Sequence, residues 1–157
     1  MKKVYSFVII LVLLFMSGCS HLNATPPTYI KDVTAYKEGD GLVIYFILAD
    51  DSGAMTTSDG KVYLTISETH SEWSGSDFVE IKDELYSASF NVVKTDFQKT
   101  KVGLGAFEHE VILCSLGRIA YSSLRGFKTS TTGEVEVEFL RSDGVGGVLR
   151  GSETVFF

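Results

Sequence analysis

Gly133-Glu134-Val135-Glu136-Val137-Glu138-Phe139-Leu140 decides the fold class. Acidic and apolar residues alternate strictly, and a period of two belongs to a β-strand with one buried face and one wet face. Val135, Val137 and Phe139 are therefore expected in a core. Glu134, Glu136 and Glu138 are expected on a solvated face that resists aggregation. Ser142-Asp143-Gly144-Val145-Gly146-Gly147 follows as turn chemistry, and Glu153 to Phe157 reads as a closing strand.

The same period recurs upstream. In Lys61 to Ser67, Val62, Leu64 and Ile66 point one way and Tyr63 and Thr65 the other. Leu42 to Leu48 is apolar on both faces and rich in β-formers, which suits a strand central to the core. These two strands are expected to pair across the turn-rich loop Ala49 to Gly60. Tyr29 to Tyr36 is a first strand, closed by Glu38-Gly39-Asp40-Gly41. Glu68 to Asp77 reads as a polar loop carrying His70 and Trp73, followed by a short edge strand, Phe78 to Ile81. Tyr86 to Val92 alternates again. Thr95 to Thr100 is either one helical turn or a crossover. Val111 to Leu116 and Arg118 to Leu124 are separated by a turn at Gly117, and the second of them also fits a short helix. Seven to nine short strands with many glycine turns predict an all-β domain, an antiparallel β-sandwich or else a small β-barrel.

Over Tyr29 to Phe157 this pattern resembles immunoglobulin-like and fibronectin type III-like domains of surface lipoproteins. The resemblance implies an Ig-like sandwich. It lacks the Cys…Trp…Cys spacing of true immunoglobulin domains, since Trp73 is the single tryptophan and Cys114 has no cysteine near it.

The N-terminus has a different composition. Lys2 and Lys3 precede an apolar run from Val4 to Met16 broken only by Ser6. About 13 residues fall short of the roughly 20 needed to span a bilayer and match a signal-peptide core. Met16-Ser17-Gly18-Cys19 resembles the lipobox of bacterial-type lipoproteins: an apolar residue, two small residues and a cysteine. Met16 stands where leucine is usual. The resemblance implies that residues 1–18 are removed and that Cys19 carries the acyl chains (palmitate among them) that hold the protein at a membrane. Two chains would anchor stably where one is marginal. The expected location is extracytoplasmic, at the outer membrane if the cell has one, because Ser20 is not the aspartate that retains many such proteins at the inner membrane. A plain secretory signal with an incidental cysteine is the first alternative, and an uncleaved anchor the second. Residues 19–28, with Pro26 and Pro27, then form an extended tether, and 29–157 the folded domain.

Lys and Arg number 14 against 20 Asp and Glu, a net charge of −6, and removing Lys2 and Lys3 takes it to −8. An acidic body disfavours nucleic acid and anionic lipid as partners. With Cys19 acylated, Cys114 inside Val111-Ile112-Leu113-Cys114 is expected as a small buried hydrophobe rather than a nucleophile.

No motif carries an enzymatic assignment: Gly-x-Ser-x-Gly, a phosphate-binding loop and a dinucleotide-binding glycine pattern are all missing from the sequence. No catalytic residue, metal ligand or cofactor is expected. Glu108-His109-Glu110 and the His70 region place alternate side chains on opposite faces, which does not converge ligands. Asp40, Asp50, Asp51, Asp59 and Asp143 lie in turns where aspartate bonds to its own backbone, with Ca²⁺ as the alternative use. Trp73, with an outward tyrosine such as Tyr63, is the candidate contact for a glycan or protein partner of the envelope. The expected function is therefore a non-enzymatic binding or structural lipoprotein domain. A small-ligand carrier is the alternative, and a hydrolase or metal-dependent enzyme comes third.

Overall fold

The computed structural model describes residues 25–127 and 132–157. Cys19, the signal segment and the start of the tether lie outside them. Nine strands follow in order: β1 (Tyr29–Glu38), β2 (Gly41–Ala49), β3 (Met55–Thr56), β4 (Gly60–Ser74), β5 (Asp77–Val92), β6 (Phe97–Val102), β7 (His109–Ala120), β8 (Thr132–Arg141) and β9 (Val148–Phe156). They form two antiparallel sheets. One runs β1-β2-β7-β6, with β3 also paired to β2; the other runs β5-β4-β8-β9. The sheets do not close into a barrel.

That order is the immunoglobulin one, A-B-E-D facing C′-C-F-G, with β5 as the extra strand beside C. It corrects the expected pairing of Leu42–Leu48 with Lys61–Ser67. β2 takes β1 and β7 as neighbours, and β3 covers its far end. The chain then crosses to the opposite sheet to begin β4.

The alternation in β8 and β4 holds. Val135, Val137, Phe139, Val62, Leu64 and Ile66 are all fully buried. Burying each of these side chains contributes about 1.5–3 kcal/mol. Where immunoglobulin domains cross-link strands B and F by a disulfide, this chain sets Phe46 of β2 against Phe139 of β8, with ring centroids 6.0 Å apart. Phe97 of β6 meets Phe46 edge-on at 5.7 Å. An aromatic wedge thus joins both sheets at their centre. Gly60 begins β4 because a Cβ there would sit 2.4 Å from the Phe139 ring.

Four local expectations change. Thr95 to Thr100, expected as a helical turn or a crossover, ends the 3-10 turn Lys94–Asp96 and opens β6. Gly117 is not a turn: β7 runs on through it, and Leu116 is an extra residue between the pairs Tyr45↔Ser115 and Ile44↔Gly117. The left-handed backbone of this bulge, φ +82° at Gly117, suits glycine. The end of the expected second segment is a single 3-10 turn, Tyr121–Ser123. Finally, Thr25 to Thr28 already belong to the folded body rather than to a tether ending at 28. Pro27 is buried, Thr28 N–H donates to the Ala49 carbonyl, and the Thr56 hydroxyl donates to the Thr25 carbonyl.

Candidate functional site

The expected polar loop Glu68 to Asp77 is the outer half of a β-hairpin. β4 and β5 stay paired from Gly60↔Val92 to Ser74↔Asp77, with one irregularity at Ile66/Ser67, where Leu85 is the extra residue. β8 stops supporting β4 at Glu68↔Gly133. The six residues from Thr69 to Ser74 therefore project about 20 Å beyond the sheet at 3.3 Å each. A two-residue turn, Gly75-Ser76, closes the hairpin with Gly75 at φ +70°.

Trp73 and Phe78 face each other directly across this tip. Their rings lie 4.8 Å apart at 85°, an edge-to-face pair. Trp73 is 73% exposed and Phe78 60%, with Val79 also exposed on the other face of the hairpin. Scattered surface hydrophobics are ordinary. Two large aromatic rings held together at the end of a projecting hairpin are a different matter, because no packing among the described residues accounts for them.

Tyr63 does not join this site. It lies on the same strand and face, but ten residues earlier, about 33 Å away. There it is 39% exposed, under the ammonium of Lys61 at 5.0 Å from the ring centroid. Phe78 takes the place that the sequence offered to Tyr63. Gly75-Ser76 between Trp73 and Phe78 was the available sign: a two-residue turn flanked by β-formers.

Behind the tip, the inward face of the overhang and the Arg125-Gly126 turn enclose an open groove of about 530 Å³. Glu68, His70, Glu72 and Asp83 line it, with Arg125 opposite. Glu68 is 9% exposed. His70 lies 3.3 Å from Glu72 and 3.6 Å from Asp83. On the outward face, Lys82 contacts Glu134 at 2.8 Å and Glu136 at 3.7 Å, and Arg150 donates to Glu138 at 2.6 Å. The Glu134 bond raises the affinity of Lys82 for its proton, and the same bond lowers the pKa of Glu134. The acidic stripe of β8 is thus largely paired within its own sheet, whereas among the described residues Glu72 and Asp83 meet only His70, and Asp77, Glu80 and Glu84 form no ion pair.

The acidic turns are used by the backbone. Asp50 accepts from Ser52 N–H at 2.9 Å, the Ser52 hydroxyl at 2.6 Å and Ala54 N–H at 3.1 Å, and also from the Thr25 hydroxyl. The bonds from Ser52 and Thr25 hold its carboxyl down at about 2. Asp59 accepts from Lys94 N–H, Asp143 from Val145 N–H and Arg141, and Asp40 from Arg118. Glu108 and Glu110 bond Lys101 and Lys99 across the β6–β7 pair, and His109 pairs opposite Val102. Among the described residues no group of three His, Cys, Asp or Glu side chains converges as metal ligands do. Cys114 is fully buried, and burial pushes its thiol up to about 11. It is not a thiolate at neutral pH.

No helix among the described residues is long and apolar enough to cross a membrane. No family model matches the chain, and no curated protein does. Among solved structures, the chain is similar to wild-type OgpA from Akkermansia muciniphila in two crystal forms. The first likeness has a TM-score of 0.39 at 13% identity, covering 84% of this chain and 28% of that one. The second has a TM-score of 0.38 at 12% identity, covering 84% and 29%. This chain spans less than a third of OgpA, and likeness at that level carries no argument about activity.

Proposed function

We propose that the protein is a lipid-anchored, non-enzymatic binding domain of the cell envelope, fixed to its membrane through Cys19 and recognising a partner with the β4–β5 hairpin tip. The observation that carries this assignment is the exposed Trp73–Phe78 pair at the end of the hairpin. Its position supports the same view. Thr25, six residues after Cys19, is bound to Asp50 and Thr56, at the end of the sandwich where β4 begins. Trp73 lies thirteen residues along β4 from Gly60, about 43 Å towards the opposite end. A chain tethered at the first pole presents its aromatic tip away from the anchoring bilayer.

The packed interior weighs against a carrier. Phe46, Phe139 and the aliphatic side chains around them fill the space between the sheets, and the grooves lie outside.

Two experiments on intact cells test the assignment. Cys19→Ser should move the protein from the membrane fraction to the soluble fraction; unchanged membrane retention refutes the anchor. A photo-cross-linking residue at Ser76 should give a discrete adduct that Trp73→Ala abolishes. Absence of any Trp73-dependent adduct refutes recognition by the tip.

A further inference from the structure

We infer that the partner of the hairpin tip is a cationic polypeptide surface, presenting Lys or Arg side chains beside an apolar anchor. The inference rests on the hairpin tip being the recognition element and names what that element selects.

Two independent features select the same sign of charge. The first is the aromatic pair. Rings set at 85° form a notch rather than the flat platform that a stacked sugar ring needs. Their electron-rich faces attract ammonium and guanidinium groups, more strongly as the contact is desolvated. The second is the charge of the overhang. Glu72, Asp77 and Glu80 are its carboxylates, Glu68, Asp83 and Glu84 lie at its base, and Lys82, its one lysine, is engaged by Glu134 and Glu136. Glu72 and Asp77 immediately flank the aromatic tip. Glu80 shares the face of Phe78, two residues on.

The groove behind the tip continues the preference. Its walls bring Glu68, Glu72 and Asp83 into one concavity, in which Arg125 is the cationic side chain among the described residues. A concave acidic wall beside an apolar tip fits a long basic side chain, whose aliphatic stem packs while its head stays solvated. Anionic surfaces meet the opposite conditions. A phospholipid headgroup layer or a nucleic acid backbone would have to approach six carboxylates, and the tip points away from the pole at which the chain would reach its own membrane. A neutral glycan would gain nothing from the acidic rim.

Trp73 is the only tryptophan, so its fluorescence in the full-length protein reports on the tip alone. The detergent-solubilised protein is titrated with four probes: a twelve-residue peptide of alternating Arg and Leu, its Glu-Leu counterpart, maltohexaose, and phosphatidylcholine vesicles. The Arg-Leu peptide should blue-shift Trp73 emission saturably, weakening about tenfold between low salt and 0.5 M salt as screening sets in. A combined Glu72→Gln, Asp77→Asn, Glu80→Gln variant changes only exposed side chains, and it should also weaken binding about tenfold. Phe78→Ala should weaken binding by a similar factor and leaves the reporter in place. Equal response to the Glu-Leu peptide, salt-independent binding, or no saturable response to the Arg-Leu peptide overturns the cationic assignment. A saturable response to maltohexaose or vesicles instead would overturn it while leaving the tip as the recognition element. Loss of the Ser76 adduct criterion in cells is the separate failure that removes the tip itself.

Discussion

Asp50 shows most plainly what single residues do here. The turn Asp50-Asp51-Ser52-Gly53 looks like a cation loop in composition, yet its carboxylate is already saturated by Ser52, Ala54 and Thr25. Those bonds favour the ionised form, so the folded value falls from 3.8 to about 2. The sign follows by linkage: a group whose folded pKa is depressed stabilises the fold above its unfolded value. That stabilisation is full above about pH 4 and disappears as the pH drops towards 2. Asp50→Asn should lower the melting temperature at pH 7, and the gap from wild type should close between pH 4 and pH 2. A gap of constant size across that range would show that the carboxylate is not the stabilising form. Thr25→Ala should reproduce part of the effect, because the Thr25 hydroxyl pins the arriving chain to the same carboxylate.

At the scale of elements, the β4–β5 hairpin separates stability from function. Among the described residues Trp73 and Phe78 touch each other and little else, and an aromatic pair of this kind contributes about 0.5–1.5 kcal/mol. Trp73→Ala or Phe78→Ala should therefore cost about 1 kcal/mol or less in urea unfolding. Ile66→Ala, on the same strand but fully buried, should cost about 2–5 kcal/mol. A large loss at Trp73 would mean that it holds the fold together instead of meeting a partner. The contrast also explains what the sequence made legible. Val62, Leu64 and Ile66 alternate because one face of β4 meets the core, so that half could be read. Beyond Glu68 neither face meets a core, so Thr69 to Ser74 loses its period while remaining a strand, held by cross-strand pairing alone. Gly117 misled for a related reason: a glycine with positive φ serves a bulge as well as a turn, and only the register with β2 distinguishes them. Phe78 was missed as part of the site because its partnership with Trp73 depends on that same unseen pairing.

At the scale of the whole molecule, an immunoglobulin-like order is held together without a disulfide, and the centre of the sandwich bears the consequence. Phe46, Phe97 and Phe139 join β2, β6 and β8 where a B–F cross-link would otherwise constrain the unfolded chain. The stability then comes from close packing between sheets, which is cooperative and sensitive to cavities. Phe46→Ala should remove about 3–5 kcal/mol, a large share of the roughly 5–15 kcal/mol available to a domain of this kind. It should do so as a single transition, because the ring contacts both sheets and a domain under 150 residues generally unfolds as one unit. Reducing agent should leave the midpoint unchanged, since Cys114 is a free, fully buried thiol. Urea unfolding followed by far-UV circular dichroism and by Trp73 emission tests both halves. The dichroism midpoint should fall sharply in Phe46→Ala and not move with reductant. Trp73, already exposed at the tip, should change little through the same transition. A large, coincident Trp73 change would mean that the hairpin tip is packed in the folded protein, and would contradict its role as a free recognition element.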